Sequence, residues 1–249
     1  MSPHPFHIQW FDLFLIELSN WRWGWRNLVL TGMVLPLFGM LLLGAFARDL
    51  GANALAYVLT GNLVMGLLFE HQGKLASHFA FLKMAGSLDY FATLPIYKPL
   101  LVTAASAAFF LLFLPSLIVS LLGGAWILGV TLHIHLLALL IVPLCALPLA
   151  GLGALIGVSF RTPEEAMAID RLLVITMLAM GPVLIPPERL PGWLVTLGYA
   201  SPATYAASAL RQVLLGPVTP RLLLDVGVLV GVIGLSFWLV NRKMDWRTR

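Results

Sequence analysis

The sequence predicts an all-α polytopic membrane protein: six transmembrane helices, an N-terminal interfacial helix and a re-entrant helical hairpin before the last span. Three observations lead there. The 249 residues are 60% hydrophobic and 10% charged, with mean hydropathy +0.94; no soluble domain of this size buries so much apolar side chain. Long apolar runs alternate with short segments that hold most of the charges. Between two of the runs lies a proline-broken stretch, 181–216, that is apolar without being a clean span.

The charge pattern also narrows the function class. A net charge of +4 suggests an anionic partner, but the basic residues cluster at the ends of apolar runs, where they set orientation. Nucleic acid is not implied. The single cysteine, Cys145, lies inside an apolar run, so there is no disulfide framework. No signal peptide is visible: Asp12 and Glu17 interrupt the first 25 residues, and no small-residue cleavage site precedes the first span.

Residues 4–26 are apolar and aromatic, with Gln9, Asp12, Glu17, Asn20 and Arg22 interspersed. That pattern, with Trp10, Trp21, Trp23 and Trp25, suits a helix lying in the membrane interface. The first span is 28–46, with Pro36 as a kink, and Arg48 and Asp49 close it. A turn at Gly51 leads to the second span, 54–69. The interval 70–98 is too polar to cross a bilayer and too rich in Phe79, Phe81, Leu82, Leu88 and Phe91 to be a disordered linker. It is expected to be a loop with one or two short helices, Ser87 serving as a cap. The third span is 100–122, with Pro115 inside it and a turn at Gly123 and Gly124. The fourth is 133–160, long enough to tilt or to break at Pro143 or Pro148. Thr162, Pro163 and Glu165 spell a capping box that starts the fifth span, 166–185. The sixth is 222–240, followed by a basic tail.

Pro182, Pro186, Pro187 and Pro191 stop any helix early in 181–216, and Glu188 and Arg189 hold the break near water. Two short helices follow, 192–200 and 202–215, with Ser201 as N-cap and Pro202 at the first helical position. Non-helical backbone at membrane depth survives only where protein or a water-filled cavity satisfies it. The hairpin 186–216 therefore reads as the lid of a pathway whose walls are the spans. With both termini cytoplasmic, eleven basic residues fall inside and only Arg48, Arg189, Arg211 and Arg221 outside, as the positive-inside rule requires.

Enzymatic motifs are absent from the sequence: no phosphate-binding Gly-rich loop, no metal-ligand spacing, no nucleophile elbow. His133 and His135 read as polar anchors. Asp170 and Arg171 are costly in lipid; Arg171 can snorkel, and Asp170 is expected to pair with a base from another span. Asp225 and Arg211 are expected to pair across the lid. The interval 70–98 reads best as a docking element for a soluble partner, because it carries several large apolar side chains outside the spans.

In this order and spacing the chain resembles the permease subunits of ABC exporters of the ABC-2 class over nearly its whole length, as a single transmembrane domain. The lid motif runs through Pro187, Leu190, Pro191 and Trp193, then Pro202, Thr204 and Tyr205, then Arg211; it is similar to the family's pattern before the last span. Ser87, Leu88, Asp89 and Tyr90, followed by Leu94 and Pro95, stand in the place of its coupling loop, to which Lys74 and Lys83 also belong. The resemblance implies two permease copies, a homodimer favoured over a heterodimer, each docked through 70–98 and the N-terminal helix on one of two copies of a separate ATPase subunit. That subunit would bind the ATP and magnesium; the permease itself would need no cofactor and catalyse nothing. It further implies outward movement of substrate across the cytoplasmic membrane. Few polar or aromatic residues in the first, second and fifth spans favour an amphipathic, lipid-like or drug-like cargo, with a polysaccharide or glycolipid as the alternative. An ion-coupled secondary transporter fits less well, since it would place ionisable residues near mid-membrane and often show repeats.

Overall fold

A computed structural model describes residues 5–21, 25–93 and 97–244. Arg22, Trp23, Leu94, Pro95, Arg247 and Arg249 lie outside the described residues. The fold is all-helical there: α1 (Phe6–Trp21), α2 (Trp25–Ala47), α3 (Ala52–Gly66), α4 (Gly73–Met84), α5 (Ser87–Thr93), α6 (Lys98–Leu128), α7 (Ala138–Ser159), α8 (Pro163–Ala179), α9 (Gly192–Gly198), α10 (Pro202–Leu215) and α11 (Arg221–Lys243). Five helical stretches are long and apolar enough to cross a membrane: Gly32–Leu50, Ala52–Met84, Pro99–Leu128, Ala138–Ser159 and Arg221–Lys243. α8, at 17 residues, is shorter than the expected fifth span and stops at Ala179 instead of reaching Ile185. Its start is as expected: Thr162 Oγ1 accepts from Glu165 N, while the Glu165 carboxylate reaches back to Arg161 N.

The largest departure from expectation lies after the second span. The helix does not end at Phe69: α3 runs through a π-helical turn, Leu67–Gln72, directly into α4. Residues 52–84 thus form one rod of about 50 Å, against a hydrocarbon core of about 30 Å. The expected loop 70–98 is therefore half rigid helix. Its apolar residues are used for packing. Leu75, Ala76, Phe79 and Ala80 are all fully buried, and α4 lies against α7 and α8. Gly153 and Gly157 of α7, four residues apart, let this happen: a Cβ at Gly153 would run into the Gln72 carbonyl, and one at Gly157 would lie 2.5 Å from the Ala76 carbonyl oxygen.

Two further boundaries shift for physical reasons. α6 continues past Gly123 and Gly124, which face Leu37 of α2 and Met40 and Leu59 of α2 and α3; the pair serves helix contact, and the turn falls at Gly129 in the left-handed region. The fourth span begins at Ala138, because residues 133–135 instead satisfy the open end of α10. His133 N donates to Leu214 O (2.9 Å) and His135 N to Val213 O (2.8 Å), two carbonyls that the helix itself leaves free.

α1 packs along α6, with Trp10 Nε1 donating to Thr103 Oγ1 (3.2 Å). Its buried positions are Gln9, Leu13 and Glu17, whereas Phe6, Phe11, Leu15 and Ile16 are exposed. Gln9 and Glu17 thus face the protein beside Leu13, while most of the outward side chains are apolar, His7 and Asp12 being exposed among them. Leu13, Leu88, Val158, Val240 and Met244 share one apolar cluster, so both ends of the described chain meet at one end of the bundle. Lys83 donates to the carbonyls of Val158 and Phe160, and Lys243 to Ser159 Oγ, which gathers cations at the C-terminus of α7. The α9–α10 hairpin occupies the opposite end, against α3, the start of α7 and the start of α11.

Candidate functional site

Residues 181–216 build the site at that opposite end. The chain leaves α8 at Ala179, turns through Gly181 and Val183, and makes a short 3-10 turn, Pro187–Arg189, before α9. Gly181 and Gly198 face each other so closely that a Cβ on Gly198 would lie 2.7 Å from the Gly181 Cα. Tyr205 Oη donates to the Tyr199 carbonyl (2.9 Å) and pins α10 back onto the end of α9. Ser201 stands at the N-cap position with Pro202 following, yet its hydroxyl makes no cap bond. The Ser201 Oγ is buried without a partner.

The expected lid residues divide into two sets. Pro191 and Trp193 are exposed, and Pro187 and Leu190 are half-buried, whereas Pro202, Thr204 and Tyr205 are buried. α10 presents Ala203, Ala206, Ala207, Ala209 and Leu210 to the core, and small side chains allow it to sit among α3, α7 and α11. Arg211 does not pair with Asp225. Its guanidinium lies over the Tyr57 ring of α3, 3.4 Å from the centroid, and its Nε and Nη2 have no partner. Asp225, fully buried, accepts instead from Ser208 Oγ (2.6 Å) and Gln212 Nε2 (3.0 Å) on α10, a nearer helix face than the Arg211 fork. Gln212 completes the brace by accepting from Thr219 N and Oγ1. Tyr57, Thr204, Ser208, Arg211, Gln212 and Arg221 help line a cavity of about 230 Å³ between the hairpin and α3.

The end that carries both termini holds the other sequence-singled residues. Asp170 of α8 finds no base; its Oδ1 accepts from Gln72 Nε2 at the end of the π-helical turn (2.9 Å), both residues being buried. Gln72 was invisible as a partner because the sequence placed it in a loop. His78 Nε2 and Glu17 Oε1, 3.0 Å apart, join α4 to α1. His71 lies fully buried with its Nε2 3.4 Å from Ser106 Oγ of α6. One rod therefore carries a polar partner for α8, for α1 and for α6. Lys74 lines a cleft with Glu70, Asp170 and Arg171, and Arg171 itself is exposed.

Lys83 is occupied by the carbonyls that end α7. α5 starts after Gly86, whose carbonyl accepts from Asp89 N and Tyr90 N, so Gly86 and not Ser87 takes the cap position. Gly86 holds φ of 69°, the left-handed region that glycine adopts freely. Leu88 is packed inward, while Asp89 and Tyr90 are exposed beside Phe81 and Met84.

The sequence profile of the ABC-2 type transporter family matches residues 9–215, from α1 to the last residue of α10. The chain belongs to that family. With its long apolar helices, that membership makes it a multi-pass membrane protein of the ABC-2 transporter class. Among curated proteins it is similar to the daunorubicin resistance ABC transporter permease protein DrrB1 of Streptomyces coeruleorubidus, 25% identical over 135 residues. Those residues are 53% of this chain and 47% of that protein, so the chain spans about half the length of the curated relative it matches.

Proposed function

We propose that this permease exports an amphipathic, drug-like or lipid-like compound across the cytoplasmic membrane, driven by ATP hydrolysed on a separate subunit. The observation that carries the reading is an apolar groove of about 650 Å³ between α6 and α7, lined by residues such as Phe110, Leu114, Leu117, Leu139 and Val142. His135 is the one titratable side chain among its described lining residues. Such a surface suits a lipophilic cargo and offers a sugar polymer almost no hydrogen bonds.

The finer architecture belongs to the same proposal. α8 serves as the fifth of six spans: 17 residues rise about 26 Å, and the turn at 180–185 makes up the remaining depth. Both termini are cytoplasmic, which puts Lys83, Arg161 and Lys243 inside and the α9–α10 hairpin at the outer leaflet as the lid. Two copies pair, and each docks an ATPase through the corner formed by Phe81, Met84, Asp89 and Tyr90. Because α4 continues α3 as one rod, a push on that corner would be passed into the membrane without a hinge loop to absorb it.

The test is transport into inside-out vesicles holding the permease and its ATPase, with daunorubicin, the compound in the relative's name, and a lipophilic dye as probes. ATP-dependent accumulation that resists dissipation of the proton gradient is expected. Accumulation that follows the proton gradient and ignores ATP would overturn the reading in favour of a secondary transporter.

A further inference from the structure

The cavity beneath the hairpin has a chemistry that the lid reading does not use. Arg211 lies flat on Tyr57, and the stacking leaves the edge of its guanidinium plane free. Two of its donors, Nε and Nη2, are shielded from solvent and have no hydrogen-bond partner. The Thr204 hydroxyl, on the same helix seven residues earlier and so on nearly the same face, is likewise buried and unpartnered. Both residues line the cavity, and Arg221 at the start of α11 lines it too, exposed at the rim. The described lining residues include these two guanidinium groups and no carboxylate. Two acids, Asp225 and Glu188, act on Arg211 from outside the lining: Asp225 is fully buried with its Oδ2 taken by Ser208 and Gln212, and Glu188 is exposed.

Buried donors left without acceptors cost stability, by about 1–3 kcal/mol each in general, so an arrangement with three of them around one polar space calls for an acceptor. A neutral acceptor would satisfy the donors without using the two positive charges that face the cavity. An oxyanion satisfies both needs, because a planar guanidinium edge matches two oxygens of a phosphate or carboxylate. We propose that this cavity is a binding site for a singly charged oxyanion, held by the Arg211 edge and the Thr204 hydroxyl and drawn in by Arg221. The phosphodiester of an anionic lipid and a free phosphate or carboxylate share this chemistry. The site is independent of the direction of transport and of the cargo in the groove between α6 and α7.

The experiment measures binding to the purified full-length permease in neutral detergent, with three probes: phosphatidylglycerol, phosphatidylcholine and inorganic phosphate. Wild type is compared with Arg211→Gln and Arg221→Gln, each first checked for an unchanged elution profile. Arg221 is exposed, so its variant remains informative if Arg211→Gln fails to fold. Saturable binding of phosphatidylglycerol over phosphatidylcholine, weakened about tenfold or more by either substitution, supports the site with a lipid as its source. The same loss for inorganic phosphate supports it with a soluble anion as the source. Equal binding of the two lipids together with no saturable phosphate binding, or anion binding that both variants retain unchanged, overturns the proposal, as does the absence of binding by every probe.

Discussion

The α9–α10 hairpin and the α4–α5 corner lie at opposite ends of the bundle, and their surfaces are made in opposite ways. The hairpin is closed inward. Gly181 meets Gly198, Tyr205 is tied to the Tyr199 carbonyl, and α10 puts ten residues into the interior. The corner is open outward: Phe81, Met84 and Tyr90 are each more than half exposed around the turn at Gly86. Backbone contact leaves the first region no room to slide, which suits the proposed lid. Uncovered apolar side chains suit the second to the proposed docking of another protein. Between them the α3–α4 rod carries Asn62, His71, Gln72 and His78 in or near the interior, so the two ends are joined through polar contacts as well as through packing.

Substitutions at the rod should disturb both ends and cost most. Gly153→Val places a side chain where the Gln72 carbonyl already sits, and overpacking of that kind costs about 1–3 kcal/mol or more. A lower unfolding temperature and loss of the monodisperse elution peak are expected; an unchanged peak would mean that α4 and α7 are not in close contact. Gly198→Ala should act similarly but locally, loosening the hairpin while the rest of the bundle stays intact, as read by faster proteolysis near 190–200. Next in size is Gln72→Ala, which takes the amide donor from Asp170 and should lower stability by about 1–3 kcal/mol. Asp170→Asn should restore part of that loss in the double variant, whereas additive losses would mean that the two side chains do not meet. The mildest is Tyr205→Phe, which removes one hydrogen bond and should cost about 1 kcal/mol. It should raise passive leak through the lid before it changes the fold. Asp89→Arg, by contrast, should leave stability unaltered and abolish ATPase docking.

The five long apolar helices and the two short helices after the prolines are legible because long apolar runs and proline–glycine punctuation need no tertiary information. α9 and α10 fall within two residues of the expected limits. The course of residues 70–84 was not legible. Glu70, His71, Gln72, Lys74 and His78 look like loop residues until α1, α6 and α8 supply Glu17, Ser106 and Asp170 as partners, and those partners are remote in sequence. The i, i+4 spacing of Ala76 with Ala80 and of Gly153 with Gly157 was the available signal for close helix contact. Arg211 stood out in the sequence, but its place over Tyr57 depends on how α10 meets α3, which charge pairing alone did not suggest. α1 was expected at the interface, and its inward-facing Glu17 explains why an acidic residue is tolerated there.

In the proposed function, the continuous α3–α4 helix links an ATPase-docking corner to the membrane pathway. The most direct test co-purifies the tagged permease with its ATPase in mild detergent and measures ATP hydrolysis in the eluate. The wild type is compared with Asp89→Arg and Tyr90→Ala. A complex that hydrolyses ATP, and that both substitutions abolish without altering the unfolding temperature of the permease, is the predicted result. A permease that retains its ATPase and full hydrolysis with both substitutions in place would contradict the account.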